Sequence, residues 1–167
     1  MNTKTILAVA ILGLSTAAGA TSGNARPENQ TTSGWFANRI VGAYVTLAQV
    51  RECGSEDPYE TVNNAILFNQ GGTVIAIPRY PPGGANGYSR TNDMGTWSYD
   101  RATNHYSLRL RYDSFTDGAY TGYSIVERDL TMALDRNSVS GPVHVTTYDP
   151  NGNVVYEACG TATSTRL

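Results

Sequence analysis

The stretch His105-Tyr106-Ser107-Leu108-Arg109-Leu110-Arg111-Tyr112-Asp113 decides the fold. Successive side chains of an extended strand point to opposite faces. Here one face collects Tyr106, Leu108, Leu110 and Tyr112, and the other collects Ser107, Arg109, Arg111 and Asp113. The segment reads as a strand with an apolar face toward a core and a charged face toward water.

The same grammar extends in both directions. Residues 95–100 and 105–115 form a hairpin across Arg101-Ala102-Thr103-Asn104. Asp117-Gly118 opens a turn into a long strand, 122–135, and Arg136-Asn137-Ser138 turns it into 139–148. Pro150-Asn151-Gly152 leads to a last strand over about 153–162. Upstream, 40–52 is the first long strand, and 54–63, polar and holding Pro58, is a connection. Strands 64–69 and 73–77 flank Gln70-Gly71-Gly72, a hairpin signal. Residues 80–94 are the longest loop. No segment shows a 3.6-residue period over ten or more residues.

Eight consecutive strands joined mostly by short turns predict an all-β fold, an eight-stranded antiparallel up-and-down barrel. Closing the meander removes both edges. Such a barrel is either filled by side chains or holds one small ligand.

Alternation assigns the interior. Trp97 and Tyr99 share a face, as do Val139, Val143 and Val145, opposite Ser140, His144 and Thr146. In 122–135, Val126, Leu130, Met132 and Leu134 face one way, and Glu127, Asp129, Thr131 and Asp135 the other. Arg128 falls on the apolar side. A buried guanidinium needs partners, because an unpaired buried charge is costly. It either takes internal hydrogen bonds or anchors an oxygen-rich ligand group. The tyrosines have two readings as well, core filling or a cavity wall with polar handles. The candidate ligand-binding set is Trp97, Tyr99, Tyr106, Leu108, Tyr112 and Arg128. Loop 80–94 is expected over the mouth, and the partner expected is a small hydrophobic or amphipathic molecule.

No catalytic motif, P-loop or metal-ligand spacing occurs, so no cofactor or metal is expected. His105 and His144 read as surface residues. Residues 1–20 place Lys4 ahead of an apolar run and end in Ala18-Gly19-Ala20, the layout of a secretory signal peptide. The expected organisation is a signal peptide over 1–20, a flexible leader over 21–35 and one barrel domain over 36–167, secreted or periplasmic. Lys4 is the single lysine, and without it scattered arginines face 14 acidic residues. No basic patch forms, which argues against nucleic acid. No mature segment is apolar for long enough to span a membrane. Cys53 and Cys159, the two cysteines, are expected to form a disulfide in an exported protein.

The chain resembles a lipocalin-type, more broadly calycin-like, barrel through residues 36–44 and Arg166. Gly42-Ala43-Tyr44 is similar to the Gly-x-Trp element that opens the lipocalin barrel, with Tyr in place of Trp. The resemblance implies that Arg166 packs on Tyr44. The chain also resembles small exported bacterial proteins, through Gly71-Gly72-Thr73, Gly95-Thr96-Trp97, the turn from Asp149 to Gly152, Cys159 and Thr165-Arg166. Allene oxide cyclase and dirigent barrels are a further comparison on strand number alone. Three functions follow as expectations. They are a carrier of a small molecule, a cofactor-free cyclase or isomerase, and a structural module with a solid core.

Overall fold

A computed structural model describes residues 30–79 and 84–167. The proposed signal peptide and most of the leader lie outside them. Ten strands follow in chain order: β1 Gln30–Thr31, β2 Gly42–Glu52, β3 Glu60–Phe68, β4 Thr73–Pro78, β5 Tyr88–Arg90, β6 Asp93–Asp100, β7 His105–Thr116, β8 Ala119–Met132, β9 Ser138–Tyr148 and β10 Val154–Arg166. One 3-10 turn, Ala37–Ile40, precedes β2, and no α-helix occurs among the described residues.

Strands β2, β3, β4, β6, β7, β8, β9 and β10 pair antiparallel in succession, and β10 pairs back onto β2. The result is the expected closed eight-stranded up-and-down barrel. Barrel strands are staggered, which leaves short unpaired edges. β1 covers one such edge, pairing with Tyr99 and Asp100 of β6 beyond the reach of β4. β5 covers another, pairing with Ser114–Thr116 of β7 beyond the start of β6.

The two ends of the barrel differ. The lower end holds the starts of β2, β7 and β9 and the ends of β3, β6 and β8. It is packed solid. Tyr44, Phe68, Trp97 and Tyr106 are each at most 1% exposed and meet edge to face or tilted. Ile40, from the 3-10 turn, closes the bottom and is fully buried. The hairpin below β3 and β4 needs two left-handed residues, supplied by Gly71 and Gly72 at φ 90° and 93°.

The closing seam between β2 and β10 is fastened at both ends. Near the upper end Cys53 and Cys159 are disulfide-bonded. At the lower end the Arg166 guanidinium lies 4.7 Å from the Tyr44 ring centroid. It donates from Nη1 to the Val41 carbonyl at 2.9 Å and from Nη2 to the Arg39 carbonyl at 2.7 Å. Gly42 makes room for it, since a Cβ there would sit 2.5 Å from Nη1. The contact implied by the lipocalin resemblance is therefore present. A cation on a ring plus two charged hydrogen bonds contributes on the order of 1–3 kcal/mol. Arg166→Ala should lower stability by about that much in urea unfolding and leave the opposite end untouched. A wild-type unfolding midpoint would contradict this.

Several boundaries differ from the sequence reading. Residue 40 belongs to the 3-10 turn, and β2 starts at Gly42. β3 begins at Glu60, because Glu60, Thr61, Val62 and Asn63 pair with β2 rather than form a connection. β10 runs on to Arg166. Loop 80–94 contains β5 and the first residues of β6. Leu134, assigned to the interior, is fully exposed. The Ala133 amide closes onto the Ser138 carbonyl at 2.9 Å, so the chain is already turning and strand alternation has ended.

Candidate functional site

Above the aromatic plug the barrel encloses a cavity of about 230 Å³ that opens toward the upper rim. Its walls are Leu110, Val126, Val143 and Val145 on one side and Ile66 on the other. The register explains the split. Leu110 lies opposite Val126, and Val126 opposite Val145, so three adjacent strands present small aliphatic chains at one height.

Arg128 stands at the base of this wall, paired with Leu108 and Val143 in the ladder. It is 6% exposed. Both Nη atoms donate to Ser164 Oγ at 3.3 Å, and Nη2 also donates to the Ala162 carbonyl at 3.4 Å. These partners are neutral and the bonds are long. Nε has no partner, and no carboxylate pairs with Arg128 among the described residues. Burial pulls the guanidinium pKa down to about 10, so the group stays charged at neutral pH. A cation thus stands beside the aliphatic wall of the cavity with no carboxylate paired to it.

A second polar pole comes from β5 and the start of β6. Arg90 stacks on Tyr112, its guanidinium carbon 3.8 Å from the ring centroid, and donates to Asp93 Oδ1. Asp93 is 2% exposed. Burial pushes its carboxyl up to about 6, against the pull of Arg90. The folded-state value lies above the unfolded one, so this group favours folding most at low pH, and that contribution is lost as pH rises toward 6. Two units correspond to about 3 kcal/mol. Between pH 7 and pH 4 the wild type should gain about that much stability relative to Asp93→Asn. Parallel pH profiles of unfolding free energy would rule this out.

The six candidates from the sequence separate along the barrel axis. Tyr112 and Arg128 line the cavity. Trp97, Tyr99 and Tyr106 belong to the lower plug. The Trp97 indole donates to the Asn69 carbonyl, the Tyr99 hydroxyl to Asn104 Oδ1, and the Tyr106 hydroxyl to the Phe36 carbonyl. Leu108 is buried beside them. Of the expected loop, Tyr88 and Arg90 reach the cavity, and residues 80–83 lie outside the described part. Asp93, Asn64 and Thr46 also line it, and the sequence reading passed over them. Period two from Trp97 and Gly95 leads to Asp93, and from Phe68 and Ile66 to Asn64. Extending those strands would have found both.

A larger hollow of about 940 Å³ is lined by residues of β6–β10, with Gln30, Thr32, Gly71 and Gly72 at one side. Its charged side chains pair with one another or with near neighbours, Arg109 with Glu127, His105 with Asp129 and His144 with Glu157. Its charged side chains thus have polar partners on the same surface, whereas Arg128 in the interior cavity has neutral partners only, which makes the interior cavity the stronger site. His144 also adjoins Cys53 and Cys159, but the disulfide commits both sulfurs.

Fold and cavity together define a closed up-and-down barrel plugged at one end and hollow at the other. Comparison of the sequence with protein-family models and with curated proteins gives no match.

Proposed function

We propose that this protein is a lipocalin-like binding protein for a small amphipathic molecule and acts outside the cytoplasm. The anionic or oxygen-rich head sits at Arg128, and the apolar body lies against Leu110, Val126, Val143 and Val145. The observation that carries this reading is a charged, 6% exposed Arg128 beside the aliphatic wall of the cavity, hydrogen-bonded to neutral partners only. Burying a cation without a counter-charge costs several kcal/mol, and a ligand carboxylate offsets that cost.

Volume narrows the class. An apolar cavity of roughly 150 Å³ accommodates benzene. About 230 Å³ therefore suits a single-ring or short-chain acid and is tight for a long fatty acid. Export is supported by the disulfide, since such bonds persist in oxidising compartments, and by the signal-peptide layout of residues 1–20. No helix of the described residues is long and apolar enough to cross a membrane.

Calorimetric titration with phenylacetate and with phenylacetamide tests the reading. The acid should bind and its neutral isostere should bind at least tenfold more weakly. Equal affinities, or no binding of either, would contradict it.

Asp93 in the same cavity favours a second reading, a cofactor-free isomerase in which a carboxylate moves a proton while Arg128 stabilises the resulting oxyanion. Exchange of carbon-bound hydrogen in a bound acid dissolved in D2O separates an isomerase from a carrier, which returns the acid unchanged.

A further inference from the structure

Three arginines that are far apart in the sequence meet at the plugged end of the barrel. Arg39 lies in the 3-10 turn, Arg136 in the hairpin after β8, and Arg166 at the end of β10. Arg166, already bound to the Arg39 carbonyl, also donates from Nε to the Arg136 carbonyl at 3.3 Å. The other two guanidiniums lie over exposed aromatic rings. Arg136 is 4.9 Å from the Trp35 centroid, and Arg39 is 5.9 Å from that of Phe36. The two rings meet edge to face at 5.0 Å.

These rings stand outside the plug. Trp35 is 63% exposed and Phe36 47%, against 1% for Trp97. Leu134, two residues before Arg136, is 102% exposed, so it stands on a convex tip. Large apolar side chains gathered on one exposed surface mark a binding face.

Charge identifies the partner. Asp135 is the one acidic side chain in the segments 33–40, 133–137 and 164–167. Its carboxylate is engaged locally, accepting from the amide and the side chain of Asn137. No carboxylate pairs with Arg39, Arg136 or Arg166 among the described residues. The other turns at this end leave the balance unchanged, since 69–72 is uncharged and 100–104 holds Asp100 with Arg101. This end is therefore positive in a chain whose net charge is −2.

We infer that the plugged end docks on an anionic phospholipid bilayer. Trp35, Phe36 and Leu134 enter the interface, and Arg39 and Arg136 meet the headgroup phosphates. Aromatic side chains favour that depth, where an apolar ring and a polar edge are both accommodated. A guanidinium over each ring stays at the phosphate layer while the ring goes deeper. A fluid bilayer takes a convex tip without a preformed groove. The cavity opens at the opposite end, so a docked barrel keeps its mouth toward water. The inference stands whether or not the cavity binds an acid.

Vesicles of phosphatidylglycerol and phosphatidylcholine in equal parts, and vesicles of phosphatidylcholine alone, provide the test. The chain from Thr21 onward is used, which keeps every described residue and omits the apolar run of 1–20. Trp35 and Trp97 are the two tryptophans, and Trp97 is sealed in the plug. On the anionic vesicles Trp35 emission should move to shorter wavelength, and the protein should sediment with them, less so as salt is raised. Trp35→Phe should abolish the shift while sedimentation persists. Arg39→Gln/Arg136→Gln should weaken binding about 25-fold, about fivefold for each arginine. Leu134→Ser should weaken it roughly 10-fold. The wild-type comparison of the two vesicles decides by itself should a variant fail to fold. No binding to either vesicle, or equal binding to both, overturns the inference. Anionic vesicles that bind folded Arg39→Gln/Arg136→Gln and Leu134→Ser as they bind wild type also overturn it, because another face is then responsible.

Discussion

Removing the Cys53–Cys159 bond should cost the barrel about 4–5 kcal/mol, the chain-entropy value for a loop of roughly a hundred residues. The two cysteines are 106 residues apart in sequence. Between them lie all the strands from β3 to β9, so the bridge closes nearly the whole barrel into one loop. Its position also matters. Cys159 pairs with Arg51 in the β2–β10 ladder, and the Cys53 amide donates to the Glu157 carbonyl at 3.0 Å. The bond therefore holds the first barrel strand to the last, the pairing with the largest sequence separation in the barrel. A domain of this size is stable by about 5–15 kcal/mol, so the loss is a large fraction of the total. Cys53→Ser/Cys159→Ser should unfold at markedly lower guanidinium concentration than the oxidised wild type, and reduced wild type should match the double variant. An unchanged midpoint would show that the seam is held by its ladder and by the Arg166 clamp alone.

Arg128→Met should move stability and ligand affinity in opposite directions. A buried charge with imperfect partners is commonly replaced by a well-packed apolar side chain with a gain of about 1–4 kcal/mol. The bonds it forfeits, at 3.3 and 3.4 Å to Ser164 and Ala162, are long. Meanwhile a charge-assisted hydrogen bond to a ligand carboxylate is worth about 1.5–3 kcal/mol, so phenylacetate should lose roughly 10- to 150-fold in affinity. The opposite signs identify the role. A residue retained for structure destabilises the fold when removed, whereas one retained for a ligand frees the fold and ruins the site. If Arg128→Met unfolds several kcal/mol more easily and acid binding is unaffected, Arg128 is structural.

The parity of each strand was legible in the sequence, and its height along the barrel axis was not. Alternation in 105–113 placed Tyr106, Leu108, Leu110 and Tyr112 on one face, and all four face inward. It also put Arg128 among apolar neighbours, where it lies. Period two says which face a residue takes but not how far along the axis it sits. Height depends on register, which pairs Trp97 with Leu108 and Tyr99 with Tyr106 in the plug while Tyr112 meets Ser124 near the rim. The aromatic candidates were therefore grouped as one lining although they occupy opposite ends.

The remaining omissions have a common cause. Asp93, Asn64 and Thr46 are polar, and polarity on an inward face carries no periodic signal of its own. Asp93 was hidden further by the proline- and glycine-rich run before it, which makes the start of β6 look like loop. Leu134 erred the other way. Its apolar side chain continued a pattern that the hairpin after Met132 had already ended.

The central claim is that Arg128 receives a ligand's anionic head inside the barrel, and its Nε–H is the direct witness. That group has no partner in the structure, so its resonance in a nitrogen-15 spectrum should shift markedly when phenylacetate is added. The Arg166 Nε–H, at the plugged end, should stay in place. An Arg128 Nε–H that is unmoved at saturating phenylacetate, mandelate and other single-ring acids would contradict the account.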